Sequence, residues 1–433
     1  MPPPAGPPSA VVQAVQMLEA GQPGRALPLL QRAHQRAPRD PGVCNALAAV
    51  LLALQQAEQA EFYAQRGLAL APGDPALLTN LGNILAARGN SDGALEALRR
   101  AAAIAPGAPQ PRQGIGNILR LRGEHTAASR EYERALASAP GDPALAAMYT
   151  SSLTSQGRAA EGADFARGWL SRASSPAVAN ALASAVTYHP GATPREVLEA
   201  AALHGRLIEA SVAVLPPAQP DRSPDRRLRL GILSHELRRH AVVRYLEPLL
   251  AHLDPAGWDV VCYSTSPVED ATTERLRGMA PTWRGVAALG DAALAAKVRA
   301  DRIDILVETS GITAGNRLGA VAMRPAPVQA SFAGYANTTG LTRLDWRIVD
   351  GVTDPPGAER WSTERLARLD PTYFFYHPSP DPPSAGRPRV RARRGSPSER
   401  SPPAPRSTAM RSARGRASSR PCRRAGSSSR APS

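Results

Sequence analysis

Three segments hold most of the side chains that could do chemistry, and each is tied to a short apolar run. SHELRRH, Ser234 to His240, directly follows LRLGILS, and ETSGITAGNR, Glu308 to Arg317, follows IDILV. MRPAPVQASFAGYANTTG, Met323 to Gly340, joins an apolar run to a Gly/Asn/Thr loop. Their His, Asn, Thr, Tyr and Arg side chains suit hydrogen bonding to a polyol and to a peptide. No GxGxxG follows a strand, and no GxxxxGK[ST], HExxH, CxxC pair or GxSxG is present. Those absences set aside dinucleotide and P-loop sites and most common hydrolases and metal enzymes. No metal and no cofactor is expected.

The loops need elements that hold them. LRLGILS (228–234), WDVVCYS (258–264), IDILVET (303–309) and APVQASF (326–332) are short β-rich runs, separated by helical segments at 243–253 and 291–302. Strands alternating with helices predict a parallel, doubly wound sheet, with LDWRIVD (344–350) and RLARLD (365–370) extending it at an edge. Open α/β sheets place ligands at the carboxyl ends of their strands, where all three loops fall.

Upstream the texture is repetitive. APRDPGV starts at Ala37, APGDPAL at Ala71, APGAPQP at Ala105 and APGDPAL at Ala139, always 34 residues apart. That is the tetratricopeptide period, two antiparallel helices to a unit. Gly82 and Gly116 fall where the first helix must approach its partner, Ala94 and Ala128 at the helix contact, and Leu98 and Tyr132 one turn on. Pro38, Pro72, Pro106 and Pro140 are expected to end each second helix. A fifth unit, about Pro143 to Arg172, reads as degenerate. Asn83 and Asn117 share one helix position, with Asn80 a turn earlier.

The net charge of +15 suggests a polyanion partner until it is located. From Arg387 onward there are fourteen arginines and one acid, Glu399, so nearly all of it lies in a tail without Leu, Ile, Phe, Trp or Tyr. Such a tail cannot bury enough surface to order itself, and disorder is expected. Cys44, Cys262 and Cys422 are far apart and lack metal spacing. Met1 to Pro8 is Pro-rich without an apolar core, and no apolar run reaches spanning length. The expectation is a cytoplasmic chain with protein partners, no membrane and no nucleic acid.

In order, SHELRRH, DILVETSG, RPAPVQASFAGYANTTG and DPPG resemble the amino-terminal catalytic lobe of the bacterial, tetratricopeptide-containing protein O-GlcNAc transferase family. The likeness runs from about Ala10 to Pro378. It implies a GT-B fold of two Rossmann-like lobes and transfer of N-acetylglucosamine from UDP-GlcNAc to Ser or Thr, with inversion and without metal. The second lobe holds most of the nucleotide, and the acceptor peptide enters past the repeats. His240 matches the histidine that closes the first loop, implying a general base or a positioning group; on residue type alone, a lone His after a strand is more often structural. Imidazole suits either task. Tyr335, Asn337, Thr338 and Thr339 match a loop lining the cleft, although Ala336 replaces the usual Pro; read without the resemblance, they make a strand–helix turn. Glu236-Leu237 replaces the usual Asp-Phe. The resemblance also implies that Asn80, Asn83 and Asn117 hold an acceptor backbone in the superhelix groove.

The division read from the sequence is 1–9 Pro-rich, 10–173 repeats, 174–226 helical linker, 227–383 the first GT-B half, and 384–433 tail. The family pattern ends near Pro382, so a truncated or frameshifted and inactive product is expected. The alternative is a tetratricopeptide scaffold that binds peptides and does no chemistry.

Overall fold

The computed structural model describes residues 9–217, 221, 223 and 225–375. The Arg-rich tail, Cys422, the point where the family pattern ends and the frameshift reading lie outside the described residues.

The repeats form five antiparallel helix pairs: α1 (Ala10–Glu19) with α2 (Pro23–Arg36), α3 (Pro41–Ala53) with α4 (Ala57–Leu70), α5 (Pro75–Ala87) with α6 (Ser91–Ile104), α7 (Pro109–Leu121) with α8 (His125–Ser138), and α9 (Pro143–Ser155) with α10 (Ala159–Leu170). Each start is written in the repeated string. Asp40, Asp74 and Asp142 accept from two backbone amides of the first turn, and Pro41, Pro75 and Pro143 occupy the position where a missing N–H costs nothing. α7 follows Ala108 and lacks a side-chain cap. The prolines at 38, 72, 106 and 140 stand two residues beyond a helix end, as expected.

The inter-helix contacts repeat too. A methyl on Gly82 would meet Leu98, and one on Gly116 would meet Tyr132, so the same close approach recurs one period later. Ala94, Ala128, Leu98 and Tyr132 are all fully buried. The fifth unit, degenerate in sequence, still forms a complete pair: in α9 and α10 Leu145, Ala146, Leu153, Ala163 and Ala166 keep the apolar spacing although the consensus is thin. Stacking also continues past residue 173. α11 (Pro176–Tyr188) packs on α9 and α10, and α12 (Pro194–Ser211) packs on α11.

The second part is a parallel sheet. In chain order it runs β1 (Leu228–Ser234), α13 (Val243–His252), β2 (Trp258–Ser264), α14 (Ala271–Met279), β3 (Thr282–Gly285), α15 (Asp291–Ala300), β4 (Ile305–Glu308), α16 (Leu318–Ala322), β5 (Val328–Ser331), β6 (Trp346–Asp350) and β7 (Arg365–Leu369). The order across the sheet is β3-β2-β1-β4-β5-β6-β7, every pairing parallel. Direction of build reverses between β1 and β4, which places a crevice at their carboxyl ends.

One apolar cluster runs without a break from α6 through α11 and α12 to one face of the sheet, including Tyr263, Leu294 and Leu306. The other face packs under α13 and α14, around Ile232, Leu246 and Leu276. Shared burial on this scale ties array and sheet together through the hydrophobic effect. Among the described residues no helix is long and apolar enough to cross a membrane.

Candidate active site

The first two loops meet over a pair of buried carboxylates. Glu236 Oε2 accepts from Ser234 Oγ at 3.0 Å, the His235 amide at 3.1 Å, Thr309 Oγ1 at 3.2 Å and Ser310 Oγ at 2.8 Å. Glu308, the last residue of β4, accepts from the amides of Ser310 at 3.0 Å and Gly311 at 2.8 Å. Its carboxyl is pushed up to about 7, first by complete burial and also by the neighbouring charge of Glu236; hydrogen bonds from Ser331, Gly311 and Ser310 oppose the rise. The reversal point of the sheet therefore holds one carboxylate with four donors and one that keeps its proton close to neutral pH. The His235 ring turns toward Thr265, with Nδ1 3.3 Å from Thr265 Oγ1, and lies against Gly315, where a Cβ would meet it at 2.4 Å.

His240 sits at the exposed rim of the first loop. Its carbonyl accepts from Val243, the first residue of α13, at 3.3 Å, and its Nδ1 accepts weakly from the Val242 amide at 3.4 Å. An Nδ1 that accepts leaves the proton of the neutral ring on Nε2, so the imidazole presents a donor while that contact holds.

The third loop is wedged against the second. A Cβ on Gly334 would fall 1.5 Å from the Thr309 carbonyl oxygen, and one on Gly311 would fall 2.3 Å from Tyr335 Cβ. Only residues without a side chain allow that approach. Tyr335 reaches the helices: its hydroxyl lies 3.1 Å from Thr187 Oγ1 on α11. Burial, the largest influence, drives that phenol well above its ordinary range, while hydrogen bonds from Thr187 and Asn337 hold the rise back.

Thr338 and Thr339 are turned inward. Thr338 Oγ1 donates to Glu364 Oε2 at 2.6 Å, and Thr339 presents both its amide, at 2.7 Å, and its hydroxyl to Glu364 Oε1. All three residues are at most 3% exposed. In this structure the two hydroxyls that were expected to line a cleft are taken by a buried carboxylate from the segment before β7. Asn337 stays half-buried beside Tyr335. Beneath the loop lies His204 of α12, whose imidazole falls to about 4 through burial, opposed by a hydrogen bond with the Thr339 backbone.

The three asparagines have different surroundings. Asn80 Nδ2 donates to Asn45 Oδ1 at 2.7 Å, linking α3 to α5. Asn117 Oδ1 accepts from the Tyr132 hydroxyl at 2.8 Å, while Asn83 is exposed. Sequence reasoning missed Asn45, Thr187, His204, Glu308 and Glu364 as members of these networks. Only Glu308 carried a signal, an acid closing an apolar strand. Among the described residues no group of three His, Cys, Asp or Glu converges as a metal site.

Comparison with known proteins gives this geometry relatives. Residues 198–378 match glycosyl transferase family 41, and residues 17–84 and 85–152 match tetratricopeptide repeats. The probable UDP-N-acetylglucosamine–peptide N-acetylglucosaminyltransferase SPINDLY of Solanum lycopersicum is 40% identical over 162 residues, which is 36% of this chain and 17% of that protein. Its namesake from Arabidopsis thaliana is 40% identical over 164 residues, 37% of this chain and 18% of that protein. A solved mutant of Thermobaculum terrenum O-GlcNAc transferase superposes with a TM-score of 0.65 at 33% identity, covering 71% of this chain and 59% of that one. The chain thus spans less than a fifth of the curated plant relatives. With the repeats in front and the seven parallel strands behind, it is the stretch 198–378 that is similar to glycosyl transferase family 41.

Proposed function

We propose that this region is the acceptor-side half of a glycosyltransferase site, passing N-acetylglucosamine from UDP-GlcNAc to Ser or Thr hydroxyls of proteins with inversion. The observation that carries the reading is the family match over a sheet whose polar loops gather at its reversal point. In an inverting displacement the acceptor oxygen bonds to the anomeric carbon as the bond to UDP breaks, and the hydroxyl proton leaves. His240, exposed at the end of the first loop, is assigned in this reading to the incoming hydroxyl. It donates through Nε2 while Nδ1 holds the Val242 amide, and serves as a base once that weak contact opens. Asn337 and Tyr335 of the third loop are likewise assigned to substrate, and Asn80, Asn83 and Asn117 are given the task of offering amides to an acceptor backbone along the array. No metal or cofactor enters this reading. Acceptor proteins, and not nucleic acid, are its partners, and the cytoplasm is its place; the buried, unpaired thiols of Cys44 and Cys262 suit a reducing compartment.

The test is sugar transfer from UDP-GlcNAc to a Ser/Thr peptide, read as a mass shift. It uses the full chain with and without the nucleotide-binding half of a family 41 enzyme. Transfer that requires this chain and drops about 100-fold in His240→Ala supports the reading. A peptide modified equally in the absence of the chain sinks it.

The inward hydroxyls of Thr338 and Thr339 favour a second reading, a scaffold that captures peptides and does no chemistry. Peptide capture without any transfer in the same assay, unchanged by His240→Ala, selects it.

A further inference from the structure

The amino-terminal rim of the sheet, opposite the three loops, contains a pocket of about 620 Å³ between the starts of β1, β4 and β5. Arg226, Arg227, Arg229, Arg299 and Arg302 line it against only two carboxylates, Asp221 and Asp304. Asp304 is already committed: both its oxygens take the Arg226 guanidinium at 2.7 Å, and Oδ2 also takes the Arg229 amide at 2.8 Å. The Arg229 guanidinium turns to Asp259 at 3.0 Å.

The remaining arginines have no anion among the described residues. Arg299 donates to the carbonyl oxygens of Pro216, Arg324 and Pro325, which orient the guanidinium without neutralising it. Arg227 donates to the Pro255 carbonyl at 3.3 Å. Arg302 is exposed, and its guanidinium has no hydrogen bond or ion pair among the described residues. Its backbone is left-handed, with φ +53° at the turn from α15 into β4, a conformation that glycine or asparagine adopts more readily. An arginine at such a turn, set beside four others, adds to an uncompensated positive field in a concave site.

We propose that this rim is a binding site for the phosphate group of a small anionic ligand. Guanidinium groups present paired donors that match phosphate oxygens, and a concave wall of them concentrates the attraction. The seven residues of β1 separate this rim from the three loops by roughly 20 Å, so the site is distinct from the proposed transfer site and does not depend on that reading.

The experiment is calorimetric titration of the full chain with pyrophosphate at fixed ionic strength. It compares the parent with the double variant Arg227→Ala/Arg302→Gly, in which glycine keeps the left-handed turn. A second double variant, Arg32→Ala/Arg36→Ala, removes the same charge from exposed positions on α2. Saturable binding that weakens at least tenfold in the first variant and stays unchanged in the second, with both melting like the parent, is the expected result. Equal affinity in the parent and the first variant assigns the anion to other arginines, the Arg-rich tail included, and overturns the proposal. Absence of saturable binding to the parent overturns it as well.

Discussion

Gly205 of α12 and Gly340 of the third loop meet backbone to backbone. A Cβ on Gly205 would lie 2.0 Å from the Gly340 carbonyl oxygen, and one on Gly340 would lie 1.8 Å from the Ala201 carbonyl oxygen. Nothing flexible can yield there, so the helices and the loop are held at the closest distance two backbones allow. Glu209 reinforces the contact by accepting from the amides of Thr342, at 2.7 Å, and Arg343, at 2.9 Å. The array is therefore part of what shapes the loop, and not merely a neighbour of it.

Gly205→Ala is expected to cost about 1–3 kcal/mol, as overpacking of a closed contact does. Gly168→Ala in α10, where a methyl meets nothing within 4 Å, is expected to gain roughly 0.4–1 kcal/mol from reduced freedom of the unfolded chain. Thermal denaturation of the two variants beside the parent checks the pair; equal melting temperatures would show that α12 and the loop can slide apart freely.

A second prediction concerns the repeat turns. Gly21, Gly89, Gly123 and Gly157 all have positive φ, and the equivalent position in the second unit is Gln55, at φ +61°. A side chain in the left-handed region costs about 1–2 kcal/mol, part of which glycine would return as unfolded-state entropy. Gln55→Gly should therefore stabilise the array by roughly 0.5–1 kcal/mol, while Gln55→Ala should gain nothing. Denaturant titration followed by circular dichroism distinguishes them.

Much of this architecture was legible in the sequence, for identifiable reasons. APGDPAL encodes a cap, a proline at the first helical position and a buried leucine within seven residues, and its spacing alone determines the repeat. Apolar runs marked β1, β2, β4 and β5 because buried parallel strands need apolar residues on both faces. β3 was missed because TWRG is four residues long, half-exposed and at the sheet edge. The site was less legible. Glu236 joins Thr309 across 73 positions and Glu364 joins Thr339 across 25, and no local period records which way a loop hydroxyl turns.

The third prediction tests that turn. Thr339→Val leaves a Glu364 oxygen without its hydroxyl partner in a buried site, at a cost of about 1–3 kcal/mol. Loss of melting temperature and faster amide exchange over residues 335–342 are expected. A Thr339→Val chain that melts like the parent but loses affinity for an acceptor peptide would return this hydroxyl to the cleft.

The last prediction follows from opposite pKa shifts on two buried groups. Glu308 is raised from 4.5 to about 7 in the folded chain, so the fold binds its proton more tightly than the unfolded chain does. Its contribution is fully present below pH 4.5 and is lost as pH rises through about 7, on the order of 3 kcal/mol in all. His204 is lowered from 6.5 to about 4, so the unfolded chain takes up that proton first, and stability falls as pH drops from 6.5 toward 4. The two slopes oppose each other between pH 4.5 and 6.5, and above that window only Glu308 still acts. Glu308→Gln keeps an oxygen for the amides of Ser310 and Gly311 but carries no charge to bury. Its melting temperature should therefore match the parent near pH 5 and exceed it at about pH 8. Parallel melting curves for parent and variant across that range would place the ionised Glu308 in water and remove the buried pair from the centre of the site.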